Sequence, residues 1–189
     1  MLLMNGAELL PCCLDGKAEN GKANVLCEGK KGAEKMKFKC PMLVVNDIKK
    51  SREFYKKVLG LRVISDFGAN ITFTGGLALQ TKESWIEFIG KQSKDIKYKG
   101  NDTEMYFEED DFDNFIKKLK SFFEIEYVYD VIEHFWGQRA IRFYDFDFHI
   151  IEVGENMKLV CKRFLEQGMS IEEVAKKTLF SEKFVQSCL

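Results

Sequence analysis

An internal repeat places two chemically active residue types at equivalent positions of the chain. Residues 40–47 (CPMLVVND) and 104–111 (EMYFEEDD) share one pattern, an apolar strand segment that ends at an acidic helix cap. The repeat aligns Cys40 with Glu104. A carboxylate such as Glu104 can move a proton or bind a cation, whereas a thiol such as Cys40 is a soft ligand or a small buried group. The aligned pair therefore decides which chemistry the chain can perform.

Acidic residues cluster around Glu104. Part of the cluster forms the start of a helix, where negative charge is stabilising in its own right. Its functional interpretation is the attraction of a cationic ligand. The members are Asp102, Glu104, Glu108, Glu109, Asp110, Asp111 and Asp113.

The cysteines and histidines give weaker signals. Six cysteines are scattered without a CxxC pair, which argues against a zinc ribbon or a redox motif. His134 precedes Trp136 in a loop and His149 follows a turn, so we interpret both as structural or exposed groups.

Composition indicates a globular protein with a core rich in aromatic rings. The chain is 46% hydrophobic and 31% charged, and it contains 17 Phe. A formal net charge of -1 gives no general attraction to nucleic acid or membranes. No secretory signal and no apolar run of membrane-spanning length is visible, so we predict a cytoplasmic protein with reduced thiols.

Hydrophobic periodicity predicts one structural module in each half of the repeat. A strand is followed by a capped amphipathic helix and then by three short strands bounded by glycine turns. In the first module the strands cover residues 38–45, 61–66, 70–74 and 77–81, with helices over 47–59 and 83–88. In the second module the strands cover residues 104–108, 125–131, 139–144 and 149–153, with a helix over 111–121.

The predicted fold is therefore α+β, with two tandem βαβββ modules that form curved mixed sheets around a cavity. This domain covers residues 36–155. Residues 1–35 lack periodicity and are predicted to be disordered or a non-native extension, with Met36 as an alternative start. Residues 156–189 are predicted to form a helical C-terminal appendage.

Part of this appendage resembles the first part of a helix-turn-helix module. The resemblance covers residues 167–178, and Ser170 with Glu173 forms a capping box. The second helix would then span residues 181–188, where Lys183 is the one basic residue. Because DNA binding needs several phosphate contacts, we favour a packing or oligomerisation role and disfavour nucleic acid as a partner.

Two longer motifs resemble the vicinal oxygen chelate superfamily, which includes glyoxalase I, bleomycin-resistance proteins and extradiol dioxygenases. Residues 47–61 (DIKKSREFYKKVLGL) resemble its first-helix signature. Residues 136–139 (WGQR) and 143–153 (FYDFDFHIIEV) resemble its last hairpin. The family usually has Asp-Pro-Asp-Gly in that hairpin, where this chain has residues 145–148 (DFDF), so we expect a looser turn.

The resemblance implies a set of cavity residues. Metal-dependent members direct four side chains into the cavity, and the matching positions are Cys40, Glu104, Glu152 and either Ala78 or Gln80. Such a set is atypical for glyoxalase I, although the two carboxylates can hold one divalent metal ion with waters. Trp136 and Arg139 are predicted to line the same cavity.

Each of these residues also has a structural interpretation. Cys40 can be a small buried hydrophobe, and Gln80 can be a hydrogen-bonding wall of the cavity. Glu104 and Glu152 can pair with arginines or face solvent. As a close pair in an apolar cavity, they would instead repel each other and one would become a general base.

Three functions follow from the resemblance and the residues. The first is a small-molecule-binding protein that acts as a metal-dependent lyase or isomerase, with Glu152 or Glu104 as the proton carrier. The alternative is a non-enzymatic protein of the bleomycin-resistance type that sequesters a cationic ligand. The third is a ligand-responsive regulator whose tail contacts DNA. Exposed strand edges predict a homodimer in each case.

The rings that could contact a bound ligand are spread along the chain. They can equally belong to the core or to a dimer contact. They are Trp85, Phe88, Trp136, Phe146 and Phe148.

Overall fold

Helix caps and alternating strands build the first module of the structure. A computed structural model describes residues 36–189, so the predicted extension over residues 1–35 lies outside the described part. The Asp47 carboxylate caps the first helix by accepting the backbone N–H groups of Lys49 and Lys50, and Gly60 ends it with φ +70°. The elements are β1 (Met42–Val45), α1 (Ile48–Leu59), β2 (Val63–Asp66), β3 (Asn70–Phe73), β4 (Ala78–Thr81) and α2 (Lys82–Ile89).

The second module repeats this order. Asp111 caps its helix by accepting the backbone N–H of Asn114. The elements are β5 (Glu104–Glu109), α3 (Phe112–Lys120), β6 (Tyr127–Glu133), β7 (Arg139–Tyr144) and β8 (Ile150–Glu155).

Each module contributes one four-stranded mixed sheet. The strand orders are β1-β4-β3-β2 and β5-β8-β7-β6. The first and last strands of each module pair in parallel, and the remaining pairs are antiparallel. The predicted α+β fold with two tandem βαβββ modules is confirmed. Strand β1 begins later than residue 38 because its partner β4 begins at Ala78, which pairs with Met42.

The main core lies on one face of both sheets, under α1 and α3. Alternation along β5 turns Met105 and Phe107 toward this core and leaves Glu104, Tyr106 and Glu108 on the other face. The fully buried side chains of the core include Val45, Tyr55, Phe73, Leu79, Leu119, Ile141, Phe143 and Ile151.

The last hairpin is tight, so the expectation of a looser turn is wrong. Asp145 accepts the backbone N–H groups of Asp147 and His149, each at 2.9 Å. Phe148 occupies the left-handed position with φ +63°, where the family pattern has glycine. Tyr55 adds a hydrogen bond from its hydroxyl to Asp145 at 2.8 Å, which ties this turn to α1.

The C-terminal segment forms three helices with their own small core. They are α4 (Met157–Glu166), α5 (Ile171–Thr178) and α6 (Glu182–Gln186), and the predicted capping box of Ser170 and Glu173 is present. Val160, Cys161, Val174 and Val185 are buried between them. Within residues 36–189, no helix is long and apolar enough to cross a membrane.

Candidate functional site

The second sheet presents a charged face on the side opposite the core. We call this the charged face, defined by Glu104, Tyr106, Glu108, Arg142 and Glu152. Glu152 lies in the middle, because β8 pairs with β5 on one side and with β7 on the other. Its direct neighbours in register are Tyr106 and Arg142. Side chains that alternate on three adjacent strands therefore meet on one surface.

Arg142 links the two predicted catalytic carboxylates. Its Nε donates a hydrogen bond to Glu104 Oε2 at 2.8 Å, and its Nη2 forms an ion pair with Glu152 Oε2. The Glu152 side chain is 6% exposed and that of Glu104 is 41% exposed. The guanidinium also lies 5.4 Å from the centre of the Tyr129 ring. The structure thus brings Glu104 and Glu152 together as the two partners of one arginine.

Tyr106 supplies an aromatic surface beside these charges. The residue is 48% exposed, and its hydroxyl donates to Glu108 Oε1 at 3.1 Å. Partial burial raises the pKa of Tyr106 to about 12, and the nearby Glu108 carboxylate acts in the same direction. The phenol is therefore neutral at physiological pH and remains a hydrogen-bond donor.

Gln138 positions the Tyr106 hydroxyl through a hydrogen bond. Gln138 was not among the site residues predicted from the sequence. Its Nε2 donates to the Tyr106 hydroxyl at 2.7 Å and to the backbone carbonyl of Glu155 at 2.8 Å. Its Oε1 accepts from the indole N–H of Trp136 at 3.1 Å. The one available signal is its place between Trp136 and Arg139 in the hairpin motif, which does not reveal the contact to β5.

Trp136 packs on the C-terminal helices. It belongs to the hydrophobic cluster of these helices and stacks on His134, with ring centres 4.2 Å apart. Its role as a wall of a ligand cavity stays a prediction.

Arg139 lies on the opposite side of β7 from Arg142. Alternation along β7 places Arg139 with Ile141 and Phe143. Arg139 donates to Asp113 at 2.8 Å and to Glu155 at 2.7 Å. Arg139 is therefore committed to an ion-pair network between α3 and β8.

Gln80 and Cys40 belong to the first sheet and its approach. Gln80 is 3% exposed, and its Oε1 accepts from Asn70 at 2.8 Å while its Nε2 donates to the Ser84 hydroxyl. Both ends of its amide are thus used, and its role as a wall of a ligand cavity stays a prediction. Cys40 precedes β1 and is partly exposed.

The implied donors, as arranged, do not fit a divalent metal ion. Glu104 and Glu152 share a permanent cation, and the amide of Gln80 is engaged by neighbouring side chains. In the part of the chain that the structure describes, no three His, Cys, Asp or Glu residues lie close enough together to hold a metal. Metal binding stays a prediction.

Two cavities lie near α3 and do not include the predicted catalytic pair. The first has a volume of about 320 Å³ and lies between the end of α1, α3 and β5, with Val58, Phe107, Phe115 and Lys118 among its lining residues. The second has a volume of about 250 Å³ and is lined by Arg139, Glu155, Arg163 and the acidic start of α3. Neither is lined by Cys40, Gln80, Glu104 or Glu152.

Comparison with known proteins identifies the family of this architecture. The family model described as "Glyoxalase-like domain" matches residues 38–158. A solved protein of unknown function from Agrobacterium tumefaciens str. C58 is 34% identical with a TM-score of 0.59, and the match covers 66% of this chain and 97% of that chain. A search of curated proteins gave no match.

Two further solved structures share the fold at lower identity. One is a glyoxalase/bleomycin resistance protein/dioxygenase family enzyme from Burkholderia phytofirmans PsJN, with 14% identity and a TM-score of 0.54 over 62% of this chain and 96% of that chain. The other is a glyoxalase/bleomycin resistance protein/dioxygenase from Nocardioides, with 21% identity and a TM-score of 0.53 over 66% of this chain and 86% of that chain. The chain therefore belongs to the glyoxalase-like family of the vicinal oxygen chelate superfamily.

Proposed function

We propose that this protein binds a cationic, ring-bearing small molecule on the charged face and that it does so without a metal ion. One observation carries the proposal: Glu104 and Glu152 share a single guanidinium, that of Arg142, while a third carboxylate, Glu108, lies on the same face and accepts only the neutral hydroxyl of Tyr106 among its contacts in residues 36–189. The face therefore keeps an excess of negative charge after its internal pairing. Such a surface attracts cations and repels anions.

Two tyrosines favour a ligand with a planar or cationic group. Tyr106 is half exposed beside Glu108, and Tyr129 lies on the far side of Arg142. An aromatic face attracts a cation and stacks on a flat ring. This chemistry corresponds to the non-enzymatic alternative of the bleomycin-resistance type.

The metal-dependent lyase or isomerase remains the competing function. It requires Glu104 and Glu152 to release Arg142 so that one of them can carry a proton beside a divalent ion. Homodimerisation belongs to either proposal. It is supported by sheet edges at β2 and β6 that carry the exposed apolar residues Ile64, Val128 and Ile132.

The test is the binding of ethidium, a planar aromatic cation, to the full chain with EDTA present. Titration by fluorescence at low and high salt should give binding that weakens as salt rises. Glu108→Gln should weaken binding about three- to fivefold, because one unit charge a few ångströms from a cation at a wet surface contributes about 1 kcal/mol. The matched control is Glu124→Gln, an exposed carboxylate paired with Lys50 on another surface.

Two results would reject the proposal. One is equal affinity for ethidium in the Glu108→Gln and Glu124→Gln variants. The other is binding that is absent with EDTA and appears only when Mn²⁺ or Ni²⁺ replaces the EDTA, which would support the lyase or isomerase instead.

A further inference from the structure

We propose that Arg142 is the built-in cation of this site, and that its guanidinium occupies the position between Glu104 and Glu152 that a divalent metal ion would otherwise take. This inference rests on the proposed function, because it explains how the charged face can work without metal. It also makes a separate claim, that the two carboxylates form a latent metal site which a single side chain keeps closed.

The register of the sheet brings Arg142 to both carboxylates. Arg142 is the direct cross-strand neighbour of Glu152, and its Nε reaches past β8 to Glu104 on β5 at 2.8 Å. One guanidinium thus contacts carboxylates from two different strands. A metal ion held by the same carboxylates would have to lie in the same place.

Glu152 is buried and therefore depends on its partner. A carboxylate with a 6% exposed side chain needs a compensating charge, because an isolated buried charge is strongly unfavourable. Among the ion pairs of residues 36–189, the partner of Glu152 is Arg142. Removing the guanidinium would leave two neighbouring carboxylates, one of them buried, without that partner. Such a pair must take up either a proton or a cation.

The positive charge of Arg142 is permanent. A metal ion commonly displaces a proton from its ligand, as it does from a thiol or an imidazolium. A guanidinium does not lose its proton in proteins, so a metal cannot neutralise Arg142 in this way. The contact with the Tyr129 ring and an exposure of 21% further restrain the Arg142 side chain. Competition by metal is therefore disfavoured by both charge and position.

Binding of Mn²⁺ to the full-length protein tests this inference directly. Mn²⁺ suits carboxylate and water ligands, and its free fraction is measured by electron paramagnetic resonance. Wild type should bind Mn²⁺ only weakly, with half-saturation above about 1 mM. Arg142→Ala should bind one Mn²⁺ at least tenfold more tightly than wild type does, and Arg142→Ala combined with Glu152→Gln should lose that gain.

Two control variants distinguish the loss of the Arg142 charge from a nonspecific effect of removing an arginine. Arg142→Lys keeps a positive charge beside the carboxylates, so it should bind Mn²⁺ no more tightly than wild type does. Arg52→Ala removes an exposed arginine that pairs with Asp66 and should also gain no Mn²⁺. Should Arg142→Ala not fold, the neutral variant Arg142→Gln replaces it, and the rise of its melting temperature with added Mn²⁺ is the second measurement.

Each result has a definite meaning. One equivalent of Mn²⁺ on wild type, lost in Glu152→Gln, would overturn the inference, and so would a folded neutral variant that binds Mn²⁺ no better than wild type. Ethidium binding by wild type distinguishes this inference from the proposed function. Failure of wild type to bind ethidium, with Mn²⁺ gained by Arg142→Ala, would reject the proposed function and support the role of Arg142.

Discussion

Gly137 shows how one residue without a side chain can position a whole segment. Its φ is +86°, and an added Cβ would lie 2.1 Å from Cζ of the Phe164 ring. Two separate requirements therefore select glycine here, the left-handed backbone and the close approach of α4. The same position opens the segment that carries Gln138, which holds Tyr106 on the charged face.

We predict that Gly137→Ala destabilises the protein by roughly 2–4 kcal/mol, the sum of a left-handed backbone penalty and overpacking against Phe164. The matched control is Gly68→Ala. Gly68 has φ +76° but no atom within 4 Å of an added Cβ, so it should show only the backbone penalty of about 1 kcal/mol. Urea unfolding of both variants measures the difference. Equal losses of stability would show that the contact with Phe164 does not matter.

At the scale of elements, helix α4 is the element that joins the C-terminal helices to the second module. Arg163 on α4 donates to the backbone carbonyl of Gly137 at 2.5 Å and to Glu155 Oε1 at 3.1 Å. Glu155 also accepts from the backbone N–H of Arg139 at 3.0 Å. One carboxylate at the end of β8 thus connects β7 with α4.

We predict that Arg163→Met loosens the C-terminal helices and lowers the free energy of unfolding by about 1–2 kcal/mol. The change removes charge-assisted hydrogen bonds and leaves the Gly137 carbonyl without this donor. Limited proteolysis should cut the segment after residue 156 faster in this variant. Lys162→Met is the control on the same helix, because Lys162 forms only an exposed pair with Glu166 at 3.9 Å. If both variants resist the protease as wild type does, Arg163 is not what holds the helices.

For the whole molecule, local sequence signals were sufficient to predict the fold. The caps at Asp47 and Ser170 and the alternation along β5 are encoded within a few residues, and the repeat fixes the order of the elements. The site was harder to predict. That Arg142 pairs with Glu152 depends on the register of two strands, so it was one of several possible pairings. Trp136 packs on the C-terminal helices through tertiary contacts. Hydrophobic periodicity reports only local structure and does not predict such contacts.

The dependence of stability on pH is a property of the whole network around Glu155. Burial alone would raise the pKa of Glu155, but the hydrogen bonds from Arg139 and the charge of Arg163 outweigh it and hold the pKa below its usual value. A carboxyl whose pKa is lower in the folded state stabilises that state when it is ionised. Its contribution is complete above the unfolded pKa of about 4.3 and is lost as the pH falls through the lower, folded pKa.

We therefore predict that Glu155→Gln lowers the free energy of unfolding at pH 7 and that the difference from wild type shrinks as the pH falls below about 4. Urea unfolding of both proteins at about pH 7, 5, 4 and 3.5 measures this difference. Glu166→Gln, an exposed change on α4, should unfold like wild type across the series. A difference for Glu155→Gln that stayed constant down to the lowest pH would mean that the side chain acts through shape and hydrogen bonding rather than through its charge, and the network would then be a packing contact between β8 and α4.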